Sequence, residues 1–329
     1  MKLATLKNGT RDGRLVVVSR DLNRAADAAP VAATMQQLIE DWDARAPGLQ
    51  SIYEMLNAGR GVDHFAFDPA QAMSPLPRTH QFVDASAFLN HGNIMEEAYK
   101  LDVKKTPGIP VLVQRQSDDF WGPCDDYPLV EADNGDFEGE FAVIVGDTPM
   151  ASTPEQCAQQ IRLVMILNDV SMRAHLFREL QMGFGFINAK PATVFGPVAV
   201  TPDELGEGWG ADGRIHLDMK VSRNGEWFGH PNGREMDWSF GELLARLGLN
   251  RNLRAGTILG TGTVSNKAAR TVGSACLAEK RALEMIEKGE STTPFLKIGD
   301  KLRFEVHGAD GQSIFGAVDH QFVPFKAGA

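Results

Sequence analysis

Cysteine is scarce: Cys124, Cys157 and Cys276 are odd in number, far apart and in no CxxC pattern. That excludes a disulfide framework and a cysteine zinc site, and it fits a reducing cytoplasm. A basic excess is also missing. The 33 Lys+Arg against 43 Asp+Glu leave a formal net charge of -10, which argues against a general binder of nucleic acid or anionic membrane. No apolar run approaches the roughly 20 residues of a membrane helix, and the opening MKLATLKNGTRDGR is too polar for a signal peptide. No internal repeat or low-complexity segment is evident. The glycines of GTILGTGTVSNK have neither the GxGxxG nor the Walker spacing, and tight turns at a sheet corner explain them more simply. What is left is an ordinary globular composition, 43% hydrophobic and 23% charged over 329 residues. The expectation is a cytoplasmic enzyme of small molecules, with one large domain and a smaller appendage.

What the chain does have is an acidic stretch whose two faces disagree, DFEGEFAVIVGD at 136–147. As a strand it points Phe137, Gly139, Phe141, Val143 and Val145 one way, and Glu138, Glu140, Ala142 and Ile144 the other. The carboxylates share a face with Ala142 and Ile144, so both sides read as buried. Two such carboxylates, about 7 Å apart along a strand, repel unless something positive lies between them. A hard divalent cation meets that need, since oxygen ligands suit it. Glu-x-Glu alone is equally compatible with a salt-bridged or solvated surface strand.

In chain order, residues 1–19 read as a hairpin with turns at Asn8-Gly9 and Asp12-Gly13. The helical period of 35–59 is broken near Pro47-Gly48. A proline-rich connection at 69–77 marks the boundary of a small N-terminal α+β domain, 1–77, from a catalytic domain at 78–329. Helical character follows around 85–100, carrying His91, with Asp84 just before it. A Lys-rich, Pro-containing loop lies at 103–110. Thr153, Pro154 and Gln156 form a helix start with a capping box. The following apolar strand, RLVMILND, ends at Asp169. Strand, helix, strand suggests a crossover that brings Asp169 beside Glu138 and Glu140. Three carboxylates from two neighbouring strands then point to an oxygen-ligand metal site.

Lys190 reads locally as a solvated loop lysine, and a lone histidine such as His91 is usually a packed or exposed residue. In the helix VGSACLAEKRALEMIEKGE at 272–290, Glu279 shares a face with Cys276, Leu283 and Ile286, where a glutamate wants a histidine or a cation as partner. The chain ends in strands. The fold expected is mixed α/β and β-rich, not a doubly wound sheet.

The ordered set Asp84…His91, DFEGEFAVIVG, LNDVSMR, the Lys190 segment, GTVS and the Glu279 helix resembles the fumarylacetoacetate hydrolase family over roughly 80–325. The resemblance implies a catalytic domain with a mixed β-sheet roll and commonly a homodimer. It implies a Mg²⁺ or Ca²⁺ ion, with Mn²⁺ as a further candidate, on Asp84, Glu138, Glu140 and Asp169. It implies His91 as general base paired with Glu279, Arg173 and Lys190 as charge-stabilising residues, and Thr263 and Lys100 as substrate contacts. Lys100 stands where the fumarylacetoacetate hydrolases carry an arginine, so the charge is kept without the bidentate fork. Ser86, Leu176 and Leu180 replace expected tyrosine or glutamine contacts. The implied partner is a small diketo acid, and the implied reaction is metal-dependent hydrolysis of its C–C bond, fumarylacetoacetate being the first guess. The alternative is a decarboxylase, hydratase or tautomerase on the same fold.

Overall fold

Turn chemistry and alternating burial lay down the N-terminal strands. The computed structural model describes residues 1–100 and 106–326. Strand β1 (Lys2–Leu6) turns through the glycine-containing loop into β2 (Arg14–Val18), and β3 (Arg24–Asp27) pairs on the far side of β2. Two helices follow, α1 (Met35–Glu40) and α2 (Trp42–Asn57).

The break between them is not at Pro47-Gly48 as the sequence suggests. Helix α2 runs through Pro47, and the interruption falls at Asp41, whose φ of -129° is outside the helical range. A proline removes one backbone donor. Beside it, Gly48 brings the helix so close to Val31 that a Cβ would lie 3.2 Å from its side chain. The short strand β4 (Phe65–Ala66) pairs with β3. The proline-rich connection is then pinned along β1: the Met73 N–H donates to Thr5 O at 2.8 Å, and the Thr5 hydroxyl to Pro75 O at 2.6 Å.

The site-bearing elements come next: β5 (Phe82–Ala85), α3 (Leu89–Tyr99), β6 (Leu112–Arg115), β7 (Tyr127–Leu129), β8 (Gly135–Asp136) and β9 (Gly139–Val145). The first part of the expected loop at 103–110 lies outside the described residues. Every residue of β9 is buried. Phe141, Val143 and Val145 enter one core, while Ala142 and Ile144 enter another on the opposite face of the sheet. The conflict read from the sequence is therefore a strand sandwiched between two cores.

Thr153 and Gln156 close the expected capping box on α4 (Pro154–Ala158), which leads to β10 (Ile161–Asn168). The crossover inference fails, however, because β9 and β10 are antiparallel neighbours. A helix of five residues is too short to carry the chain back for a parallel pairing. The consequence drawn from it survives, since the register sets Asn168 opposite Gly139 and so puts Asp169 beside the Glu138–Glu140 pair.

Strand β11 (Ser171–Met172) runs into α5 (Arg173–Met182), followed by β12 (Val194–Phe195), β13 (Ala199–Val200), β14 (Lys220–Arg223) and β15 (Glu226–Gly229). Then come α6 (Phe240–Leu247), β16 (Ile258–Gly260), α7 (Ala269–Val272), α8 (Leu277–Lys288), β17 (Lys301–His307) and β18 (Ser313–Pro324). The main sheet runs β4-β3-β2-β1-β13-β10-β9-β16-β5-β6, with β12 beside β10. The pairing of Lys2 with Val200 makes the first hairpin part of the same sheet as the site strands. The sheet is mixed because β5 and β16 are parallel. A second sheet, β15-β14-β17-β18-β7, covers one core. No helix among the described residues is long and apolar enough to cross a membrane.

Candidate metal centre and active site

Asp84 on β5, Glu140 on β9 and Asp169 just beyond β10 each offer a carboxylate oxygen, and the three oxygens lie within 4.8 Å of one another. The glycines of the β16 loop make this approach possible. Gly260 pairs with both Asp84 and Ala142, and a Cβ there would lie 2.6 Å from Asp84 Oδ1 and 3.1 Å from Glu140 Oε2. Two residues on, Gly262 has φ of +76° and its N–H donates to both carboxylates, at 3.0 and 3.1 Å. These glycines serve the site and not merely a sheet corner.

The electrostatics ask for a cation. Burial, with the neighbouring Asp84 and Asp169, holds the Glu140 carboxyl well above the usual range. Burial and Asp169 push Asp84 up to about 6. Glu140 Oε1 is buried with no hydrogen-bond partner. A buried carboxylate with one oxygen unpartnered, beside two further carboxylates and a loop that approaches through a glycine, fits a hard divalent ion.

Glu138, expected as a fourth ligand, is held by cations of the chain itself. Arg173 Nη2 lies 2.5 Å from its Oε1 and Lys190 Nζ 2.8 Å from its Oε2. Burial opposes its charge, but Lys190 and Arg173 outweigh it and hold the carboxyl far below the usual range. Lys190 is only 7% exposed and also donates to Asp169 Oδ2 at 2.6 Å. The solvated-loop reading of this lysine does not survive. Burial alone would lower its pKa, yet Asp169 and Glu138 raise it, so it stays an ammonium.

His91, in the first turn of α3, places Nδ1 2.9 Å from Glu279 Oε2. Glu279, on α8, is fully buried, and its other oxygen has no partner. Thr263 is buried in the loop after β16, whereas Lys100 is exposed at the left-handed C-terminus of α3.

Two buried residues escaped the sequence reading. Arg115 on β6 donates to Asp169 Oδ1 and leaves Nε and Nη1 unpaired. Its only signal was one arginine closing an apolar strand. Asp136 binds Arg173 and the start of α8. Six carboxyl groups (Asp84, Asp136, Glu138, Glu140, Asp169, Glu279) thus face three permanent cations (Arg115, Arg173, Lys190), an imbalance that a divalent ion reduces.

The cluster also rests on the last strand. Asn168 Oδ1 accepts the Glu138 N–H at 3.0 Å, so its amide nitrogen donates to His320 Nε2 at 3.1 Å. His320 is therefore neutral with its proton on Nδ1, and burial holds its pKa down to about 4. In the unfolded chain the ring titrates near 6.5, so the unfolded state takes the proton first. Stability present above pH 6.5 should be lost as pH falls towards 4, by up to about 3 kcal/mol. Urea denaturation at pH 7 and 4.5 checks this. The His320→Gln variant should lose that part of the pH dependence, and an unchanged dependence would contradict the assignment.

The family model described as fumarylacetoacetate (FAA) hydrolase C-terminal matches residues 81–323, and fumarylacetoacetase N-terminal domain 2 matches residues 1–78. The chain belongs to the fumarylacetoacetate hydrolase family. Among curated relatives, 2,4-didehydro-3-deoxy-L-rhamnonate hydrolase of Sphingomonas sp. (strain SKA58) is 27% identical over 161 residues, 48% of this chain and 53% of that protein. Oxaloacetate tautomerase YisK of Bacillus subtilis (strain 168) is 27% identical over 167 residues, 51% of this chain and 47% of that protein. The chain spans about half the length of the curated relatives it matches. Among solved structures, maleylpyruvate hydrolase from Sphingobium sp. SYK-6, in complex with manganese (II) ion and pyruvate, superposes with a TM-score of 0.66 at 20% identity, covering 99% of this chain and 100% of that one. At that identity the likeness shows the shared fold. As a member of this family the chain is an enzyme with a mixed, β-rich α/β fold and a site suited to a divalent metal.

Proposed function

We propose that this enzyme hydrolyses a C–C bond in a β-diketo acid, an acylpyruvate or fumarylacetoacetate itself, with Mg²⁺, Ca²⁺ or Mn²⁺ held by Asp84, Glu140 and Asp169, and with Glu138 beside them as the fourth carboxylate. The observation that carries the reading is the His91–Glu279 pair at 2.9 Å, with Glu279 on a helix whose first N–H groups bond to Asp136 beside the site strand. A divalent ion on the Asp84–Glu140–Asp169 triad supplies a Lewis acid suited to the two oxygens of a 1,3-dicarbonyl.

The chain's own residues do the rest. Glu279 accepts the Nδ1 proton of His91, which fixes the tautomer and leaves Nε2 as the base. His91 takes a proton from water and the hydroxide adds to the carbonyl carbon. The C–C bond breaks, the departing carbon carries the electron pair as an enolate, and His91 returns the proton to it. Lys190 spends two N–H groups on Glu138 and Asp169 and keeps a third for developing negative charge. Arg173, shared between Asp136 and Glu138, adds positive field.

A second reading has its own support. A tautomerase matches at the same identity as a hydrolase, and a histidine–glutamate pair can as well move a proton on and off carbon. An absorbance assay separates the two, with EDTA and with Mg²⁺ restored, on fumarylacetoacetate and fumarylpyruvate beside oxaloacetate. Metal-dependent loss of the diketone chromophore with release of two acids is expected. Inert diketones with enol–keto exchange or CO₂ release from oxaloacetate would move the assignment to the isomerase or lyase.

A further inference from the structure

Asp136 has no assigned part in metal, base or substrate, yet it is fully buried and accepts more hydrogen bonds than any ligand of the triad. Its Oδ1 accepts the Phe137 and Leu277 N–H groups, both at 2.7 Å. Its Oδ2 accepts the Ala278 N–H and the Arg173 Nε–H, both at 2.9 Å, and Arg173 Nη2 completes an ion pair with it at 2.8 Å.

We infer that Asp136 is a positioning residue that couples the two halves of the site, the proton-moving His91–Glu279 pair and the cationic Arg173–Lys190 pair. The inference rests on the functional reading above for its kinetic part only. The donors at the start of α8 show how it works. Three backbone N–H groups there need partners outside the helix. Asp136 takes those of Leu277 and Ala278, and the Cys276 thiol takes that of Glu279 at 3.2 Å. Every one of the three is accounted for, and the third belongs to the residue that orients His91. A carboxylate also suits the positive end of a helix of 12 residues.

The same carboxylate decides how Arg173 divides itself. The guanidinium lies between Asp136 and Glu138, and Glu138 in turn shares Lys190 with Asp169. Backbone pairing reinforces the joint, because Glu138 bridges to Cys276 and the Gly139 N–H donates to Ala275 O at 2.9 Å. One rigid unit therefore runs from His91 through Glu279, the start of α8, Asp136, Arg173 and Glu138 to Lys190. Asparagine at 136 keeps the shape but has one accepting oxygen. Its NH₂ group must face either the two helix donors or the arginine, so one side of the joint opens.

The test uses the full-length protein. Asp136→Asn should speed hydrogen exchange at the Leu277 and Ala278 amides, leave Mn²⁺ affinity by calorimetry within about threefold, and lower kcat by about 10²-fold with little change in KM, the scale expected when a catalytic group shifts by an ångström. Acting through Arg173, it should add less than about fivefold in an Arg173→Gln background. Full multiplication of the two effects would overturn the coupling, and so would faster amide exchange with kcat unchanged. Should Asp136→Asn fail to fold, Arg173→Gln alone carries the test. It must alter exchange at Leu277 and Ala278, whose N–H groups bond to Asp136 and not to Arg173, and unaltered exchange there rejects the inference. Exchange and Mn²⁺ titration need no substrate. A wild-type protein inert on diketones would therefore refute the functional reading while leaving the coupling still measurable.

Discussion

Asp169→Ala is expected to abolish divalent-ion binding and turnover together. Asp169 supplies one of three oxygens that converge within 4.8 Å, and a hard ion loses both charge and geometry when one of three protein ligands goes. The substitution also strands its counter-ions. Arg115 and Lys190 are buried against Asp169, and breaking one partner out of a buried ion cluster costs about 3–5 kcal/mol because the charges left behind remain desolvated. Asp169→Asn is the fairer probe, since it keeps the volume and one acceptor. Mn²⁺ titration and thermal unfolding should be followed on both variants beside the turnover assay. Activity that persists without bound metal in a folded variant would sink the metal assignment.

Removing the base should look different. His91→Ala is expected to leave metal affinity nearly unchanged while kcat falls by about 10²–10⁴-fold, the usual worth of a general base. The ring's polar partner is Glu279, not the triad. The neighbouring Glu279→Gln tests the same dyad from the other side. An amide can present its NH₂ to Nδ1, which favours the wrong tautomer, so kcat should again fall while the fold holds. Loss of metal in His91→Ala would instead make the histidine a ligand or a structural support.

The two expected outcomes differ because the two groups sit on different elements. The metal oxygens hang from β5, β9 and the end of β10 in one sheet, with β16 between the first two. The dyad bridges two helices, α3 and α8, packed against each other.

Much of this was legible in the chain itself. Local patterns carry their own physics: the turns of the first hairpin, the Thr153–Gln156 capping box and the alternation of DFEGEFAVIVGD each depend on residues a few positions apart. The buried face of that strand announced carboxylates that needed compensation, and Glu279 on an apolar helix face announced its need for a partner. The order of motifs added the family.

Tertiary structure decided what depends on distance across the fold. Which cation compensates which carboxylate could not be read from spacing, since Lys190 and Arg115 reach Asp169 from 21 and 54 residues away. Lys190 looks solvated in its own sequence neighbourhood and is buried against Glu138 and Asp169 in the fold. Pro47 should interrupt a helix by local rules, but α2 runs through it. The glycines at 260 and 262 read as turn residues. Only the parallel register of β5 with β16 shows that a missing Cβ is what lets Asp84 and Glu140 meet. Composition and periodicity determine which faces are buried; the charges those faces meet are set by strand order and register, which a linear chain does not display.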